Sequence, residues 1–436
     1  MSSQTFTESS TIAIVGASLA GLRASETLRG QGFSGQIVVI GAEPHTPYDR
    51  PPLSKQFLAG TWDENRIQLR SAEKLDALGL DFRLGCRALS LDATEKRIEL
   101  DDGSTVIADG IVLATGCSPR SLPGALGLAG VHTLRTIDDS KALALDLSEP
   151  GRNVVVIGAG FIGAEVAATA TALGCAVTVV EALPVPLGKI LGEEMGAAAT
   201  ALHTRHGVEV RTGVGVAELR SHPSKDPASS VDPANPASAS HPEGRSSSSA
   251  LPWVCEVILQ DGSVLPADVV VVGIGVIPNT QWLEGSGLEI RDGVVADPTL
   301  HVANGVVVAG DIARWTHVGT GEEMRIEHWT NAAEQGVAAA RSLLAGREAA
   351  EPYVPVPFFW SDQYETKIQM LGRPRSDDEV VVVDGSVAEG QFVALYGRGG
   401  RLTAVLGFSR PRQLMAYRQL LVDGASFKEA LALELT

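Results

Sequence analysis

Apolar residues in this chain come in short continuous runs. Ile12 to Val15, Ile37 to Ile40, Ile111 to Ala114, Val154 to Ile157, Val177 to Val180, Val269 to Val272 and Val306 to Ala309 are rich in valine and isoleucine and bounded by polar residues or glycine. Runs of that length and composition predict strands covered on both faces, as in parallel sheets. Between the first two, and again between the fourth and fifth, lies an alanine-rich, helix-compatible segment. The chain therefore reads as a βαβ unit from Thr11 to Gly41 and a second from Asn153 to Glu181. Each is followed by a hairpin signal, Asp101-Asp102-Gly103-Ser104 and Asp261-Gly262-Ser263, and then by another apolar strand. The pattern predicts two related α/β domains, one inserted into the other.

The turns inside the βαβ units carry the first chemistry. Gly16-Ala17-Ser18-Leu19-Ala20-Gly21 follows one strand and Gly158-Ala159-Gly160-Phe161-Ile162-Gly163 the other. Small residues there let backbone N–H groups approach a pyrophosphate at a helix N-terminus. An acid closes the second strand of each unit, Glu43 at 27 residues after Gly16 and Glu181 at 23 after Gly158. Two dinucleotides held close together are what electron transfer between them requires. At Glu181 a carboxylate can accept bonds from both ribose hydroxyls of NAD and repels a 2′-phosphate. No arginine follows in Ala182-Leu183-Pro184-Val185, so NADH is expected over NADPH.

Other residues belong at the same place by their position along the chain. Tyr48-Asp49-Arg50-Pro51-Pro52-Leu53-Ser54-Lys55 lies just beyond Glu43, with two prolines to fix its backbone. Lys55 is the candidate positive charge beside an anionic reduced ring. Asp311, after the strand ending at Ala309, can accept bonds from sugar or ribityl hydroxyls, and Trp329, at the head of a helix, can lie against a planar ring. Glu165 is expected to start its helix and to face the nicotinamide.

Length and composition narrow the class. At 436 residues, 44% hydrophobic and 20% charged, the chain has material for two to four domains with large cores. No apolar run reaches the roughly 18 residues that span a bilayer. The segment Met1 to Ser10 is polar, with Glu8 as its charge, unlike a signal peptide, and reads as a short tail on a cytoplasmic protein. A net charge of −17 argues against nucleic acid as a partner. Cys86, Cys117, Cys175 and Cys255 are widely spaced, so neither a redox dithiol nor a metal or cluster framework is visible. Residues 221–252, half serine and proline, have almost nothing to bury and read as a disordered insertion.

Read in order, Arg50-Pro51-Pro52-Leu53-Ser54-Lys55, Leu113-Ala114-Thr115-Gly116, Leu134-Arg135-Thr136, Val308-Ala309-Gly310-Asp311, Ile326-Glu327-His328-Trp329 and Phe359-Trp360-Ser361-Asp362-Gln363-Tyr364 closely resemble the FAD-dependent, NADH-using ferredoxin and rubredoxin reductases of bacterial oxygenase systems. The resemblance implies FAD contacts from Ala20, Glu43, Arg50, Lys55, Ala114, Arg135, Asp311 and Trp329, with Gly16, Ser18, Gly21, Thr115 and Gly116 in the same site. It implies NADH contacts from Gly158, Gly160, Gly163, Glu165 and Glu181, with Lys55 and Glu165 nearest the reacting rings. Ser18 stands where the first fingerprint usually has its middle glycine, and Ala42 where an acid is frequent, which leaves Glu43 alone for ribose recognition. The implied partner is a small ferredoxin feeding an oxygenase, met through a local basic patch for which Arg314 is the first candidate, then Arg410 and Arg412. The implied layout is an FAD domain of 1–117 and 274–332, an NAD domain of 118–273 and a C-terminal α+β domain of 333–436. Two rival readings share the broad fold. A flavin disulfide reductase or NADH oxidase needs, in the first case, a thiol near the flavin, and Tyr48 to Gly60 contains no cysteine. An FAD/NADH-binding redox sensor that changes partners is expected to be more basic.

Overall fold

The computed structural model describes residues 6–222 and 251–434. Most of the serine- and proline-rich insertion, 223–250, therefore lies outside the described residues. The valine- and isoleucine-rich runs form the centres of two sheets. A six-stranded sheet has the order His301–Ala303, Val306–Val308, Gly110–Leu113, Thr11–Val15, Gln36–Gly41, Asp81–Leu84. A five-stranded sheet, parallel throughout, runs Glu209–Thr212, Ala176–Glu181, Asn153–Ile157, Val269–Val272, Val131–His132. Their centres superimpose in register: Val15 pairs with Ile40 and Leu113 as Ile157 pairs with Val180 and Val272. Ile12, Ile14, Ile111 and Val112 are fully buried, as strands covered on both faces demand.

Each sheet carries a three-stranded antiparallel appendage: Ala88–Asp92, Arg97–Leu100 and Thr105–Ile107 on one, Val216–His222, Trp253–Leu259 and Val264–Pro266 on the other. The expected Asp-Gly hairpins join the second and third strands of each. The chain crosses between sheets twice, and the crossings pair as a short antiparallel ribbon of Cys117–Pro119 with Val276–Pro278.

The helix Trp329–Ala345, expected to open the third domain, packs instead along Leu19–Gly30. Its Ala339, Ala340 and Leu343 enter the first unit's core. Close approach requires glycine here: a Cβ on Gly336 would lie 2.4 Å from the Ala20 carbonyl oxygen.

The C-terminal part is an antiparallel sheet of Phe358–Gln363, Thr366–Gly372, Arg401–Phe408, Gln391–Arg398 and Glu379–Ser386. One face packs on its own helices through Leu414, Tyr417 and Phe427. The other packs on Leu191, Met195 and Ala199 of the second unit. This C-terminal sheet is thereby wedged against the helix Glu193–Arg205, and its first strand comes down onto the fingerprint helix Phe161–Ala172.

Candidate functional site

Both fingerprint turns are built alike. Gly16 has φ +127°, and a Cβ on it would lie 2.0 Å from the Ala114 carbonyl oxygen. Gly158 has φ +98°, with the Gly273 oxygen at 2.4 Å from such a Cβ. The third glycines meet the turn itself: Gly21 would place a Cβ 1.9 Å from Gly16 O, and Gly163 2.2 Å from Gly158 O. The middle position is open in both turns. Gly160 has no neighbour nearer than 4.0 Å to its would-be Cβ, and Ser18 adopts extended backbone there (φ −120°) with its hydroxyl not spent on capping. Glycine is thus required at the outer positions, and serine suits the middle one.

Between the two turns lies a cleft of about 280 Å³. Ser18 to Ala20, the Tyr48–Lys55 loop, Ala114, Asp311 and Trp329 line it from the first unit. Leu134, Arg135, Phe161 and Glu165 come from the second, and Phe359 and Trp360 from the C-terminal sheet. Thr115 and Gly116 lie at the crossing beside it: Thr115 Oγ1 donates to the Asn279 carbonyl (2.9 Å), and Gly116 adopts φ +66°.

Lys55 and Glu165, 110 residues apart in sequence, meet as an ion pair of 2.7 Å with side chains only 11% and 8% exposed. The short 3₁₀ turn Pro51–Ser54 delivers Lys55, and Ser54 Oγ donates to the same Glu165 oxygen at 2.5 Å. Glu165 stands one turn into its helix, not at its start, and this depth lets it face the loop. Thr169, one turn further on, ties the helix to the Ser54 carbonyl (2.8 Å). A buried ion pair survives only when its remaining hydrogen bonds are made; those of the Glu165 carboxylate are, while the Lys55 ammonium keeps one donor unspent.

Arg135 and Asp311 pair at 2.9 Å. Burial opposes the Arg135 charge, but Asp311 outweighs it and holds the guanidinium above its usual range. Trp329, 36% exposed, donates its indole N–H to Asp49 at 2.6 Å. Burial pushes the Asp49 carboxyl up, against that bond and Lys55. His328 lines the same wall; burial drives its imidazole down to about 4, and its Nδ1 has no partner among the described residues.

Glu43 and Glu181 sit outside this cleft, each at its strand end. Glu43 binds Arg50 (2.6 Å) and the Tyr48 hydroxyl, while Arg50 also donates to the Arg135 carbonyl (2.6 Å). Glu181 accepts from the backbone N–H groups of Ala159 and Leu183, both at 2.9 Å. Arg314 is no free charge: Asp292 (2.7 Å) and Glu323 (3.0 Å) both pair with it. Arg410 is likewise paired, with Asp384 at 3.0 Å. All four cysteines are free thiols. Burial, then Asp311 and Glu327, push Cys117 up to about 12, so the cysteine beside Asp311 stays protonated and unreactive.

Residues 10–336 match the profile of the pyridine nucleotide-disulphide oxidoreductase family. The chain belongs to that family. Residues 358–434 of this oxidoreductase match a second profile, described as a reductase C-terminal domain. It is 37% identical to rhodocoxin reductase of Rhodococcus erythropolis over 94% of this chain and 89% of the relative. It is 36% identical to the ferredoxin–NAD(+) reductase component of the anthranilate 1,2-dioxygenase system of Burkholderia cepacia, over 94% of each. The structure resembles the reductase in a covalent putidaredoxin reductase–putidaredoxin complex, with a TM-score of 0.86 and 30% identity over 98% and 97% of the two chains. No helix among the described residues of this oxidoreductase is long and apolar enough to cross a membrane.

Sequence reasoning left Ser54, Asp49, His328 and Ser361 without roles, although each lies inside a quoted motif. Their signal was adjacency to a candidate. The partners of Ser54, Asp49 and Ser361 come from other parts of the chain.

Proposed function

We propose that this oxidoreductase is an FAD-containing NADH:ferredoxin reductase that supplies electrons to an oxygenase through a small iron–sulfur protein. One observation carries the reading: the N-terminal turns of both fingerprint helices open onto one cleft, and inside it the Lys55–Glu165 pair joins the Tyr48–Lys55 loop of the first unit to the second of these helices. Relatives named as reductase components of dioxygenase systems, across nearly the whole length, support the choice of acceptor.

The residues fit a flavin dinucleotide. The Gly16–Gly21 turn offers backbone N–H groups and an uncluttered Ser18 to a pyrophosphate. Glu43 can accept from ribose hydroxyls through the lone pairs that Arg50 and Tyr48 leave on its two oxygens, Asp311 is available to ribityl hydroxyls, and Trp329 with Lys55 to the ring. Bound there, a flavin supplies two-electron acceptance from NADH and one-electron release to the acceptor. The chain's own residues hold, orient and balance charge. Lys55 spends one N–H on Glu165 and a weak second on Ser54 (3.3 Å), leaving a third donor for a ring atom carrying negative charge. Glu165 keeps that ammonium in place. Glu181, already fixed by two backbone donors, is ready for the two ribose hydroxyls of NADH.

Purified protein should be yellow and release stoichiometric FAD. NADH should bleach it anaerobically, and an added ferredoxin should restore the colour while becoming reduced. A protein without flavin, or one whose reduced flavin reacts with disulfides or oxygen but with no ferredoxin in a panel, would sink the reading.

A further inference from the structure

Behind the Lys55–Glu165 pair a line of polar side chains runs through otherwise apolar packing to the surface. Glu165 Oε1 meets Ser361 Oγ at 2.8 Å, Ser361 Oγ meets Gln363 Nε2 at 3.1 Å, and Gln363 Oε1 meets His203 Nε2 at 3.1 Å. His203 Nδ1 then meets the Tyr364 hydroxyl at 3.1 Å. Ser361 and Gln363 are fully buried, and His203 and Glu165 are each 6% exposed. The residues come from three places: a fingerprint helix, the first strand of the C-terminal sheet, and the helix Glu193–Arg205 wedged beneath it.

The direction of every bond follows from one charge. An ionised Glu165 can only accept, so Ser361 must donate to it. Ser361 Oγ must then accept from the Gln363 amide nitrogen, which turns the Gln363 oxygen toward His203. A neutral His203 must carry its proton on Nε2, and its bare Nδ1 must accept from Tyr364. Four donors in series therefore point at one carboxylate, and aligned bonds polarise one another. Tyr364 is held in the left-handed region (φ +53°), a strained position for a tyrosine, and stacks on His206 at 3.7 Å.

We propose that Ser361, Gln363 and His203 are positioning residues that hold the Glu165 carboxylate aimed at Lys55, so that the C-terminal sheet sets the electrostatics of the redox site. This rests on the reductase reading above. Burial drives the His203 imidazole down to about 4, against its bond to Gln363 and with help from His206, so the neutral form the relay needs persists well below neutrality. The charged and titratable groups around the relay are Lys55 from the 3₁₀ turn, His206 on the helix of His203, and Tyr364 with Glu365 at the hairpin tip. Glu365 pairs with His206 at 3.1 Å.

The test uses the flavin-loaded enzyme and reads three quantities: the pH profile of flavin reduction by NADH, the midpoint potential of the bound flavin, and the ¹⁵N shifts of His203. Ser361→Ala removes the donor to Glu165. It should slow flavin reduction by NADH about tenfold across the pH profile, as loss of one hydrogen bond to a charged group implies, shift the potential, and scramble the His203 tautomer. Ser361→Thr keeps the hydroxyl and should restore the wild-type profile. His203→Gln should move the profile in the same direction by less. Wild-type profile and potential in Ser361→Ala, with only thermal stability lowered, would overturn the relay, as would a wild-type His203 protonated on Nδ1. Glu165→Gln separates the levels. If it binds flavin and leaves the profile unchanged, the pair plays no part and the reductase chemistry assigned to it fails. If it shifts the profile and Ser361→Ala does not, only the relay is wrong.

Discussion

The two fingerprint turns of this chain share their outer glycines, their register and the hydrogen bonds that close them, yet their surroundings differ. Gly16 N–H donates to Ile40 O and Gly158 N–H to Val180 O, both at 2.8 Å. The first turn is then enclosed: the helix Trp329–Ala345 crosses it at Gly336, and Gly310 approaches Ala20. Its acid, Glu43, is committed to Arg50 and Tyr48. The second turn is met by the first strand of the C-terminal sheet, yet its Ile162 is 44% exposed where the matching Ala20 is 6%, and among the described residues its acid is held by backbone N–H groups. An enclosed site suits a resident cofactor and an open one a co-substrate that must leave each cycle. One motif serves both because it determines only how closely the backbone can approach a phosphate.

The sharpest way to break the comparison is to place the same side chain in both turns. Gly16→Val, with φ +127° and a carbonyl oxygen 2.0 Å from the new Cβ, should lose flavin and at least about 4 kcal/mol of stability. Gly158→Val should keep the flavin while losing NADH-driven dye reduction. Flavin content and thermal unfolding of the two variants decide it, and equal loss of flavin would mean that the sites are not separable.

Next in size is Lys55→Met, which should slow flavin reduction by NADH about a hundredfold, the usual loss when a charge stabilising a reaction centre is removed. It also strands Glu165 as a buried charge, a change that typically costs about 3 kcal/mol or more. Stopped-flow reduction and denaturant melts read the two effects. Lys55→Met with wild-type rates would place the reacting rings elsewhere.

Glu181→Ala should lower kcat/KM for NADH roughly tenfold or more, since hydrogen bonds to a charged group contribute about 1.5–3 kcal/mol each. NADPH should be affected less, which narrows the preference. Equal kcat/KM for both cofactors in the wild type would remove Glu181 from selectivity.

The remaining effect concerns acid. Because the folded His203 pKa is lowered from 6.5 to about 4, the unfolded chain takes up that proton first. Stability should therefore be complete above about pH 6.5, fall as the pH drops toward 4, and change no further from this group below it, with a span of about 3 kcal/mol. His203→Gln should flatten that part of the curve of Tm against pH. An unchanged slope would mean that other groups carry the acid sensitivity.

The βαβ units, both hairpins and the fingerprint glycines were legible because each depends on residues close in sequence. Strand runs of Val and Ile, a turn that admits only glycine and an acid at a strand end leave local marks. The partners of those residues left none. Arg314 reads from sequence as a free basic group past Asp311, but Asp292 and Glu323 neutralise it. The helix Trp329–Ala345 reads as the start of the C-terminal part, but its alanine face fits the small-residue surface around Ala20.

By itself the sequence determined that two dinucleotide turns exist, where their backbones must be bare, and that Glu181 stands opposite the second with no arginine beside it. Those are properties of φ, Cβ and charge at single positions, and a chain carries them wherever it folds. Only the tertiary structure decided that Lys55 meets Glu165 and that Ser361 and His203 stand behind the pair. Such contacts join residues 110, 196 and 160 positions apart, and they form only once three separately patterned units bury their faces against one another.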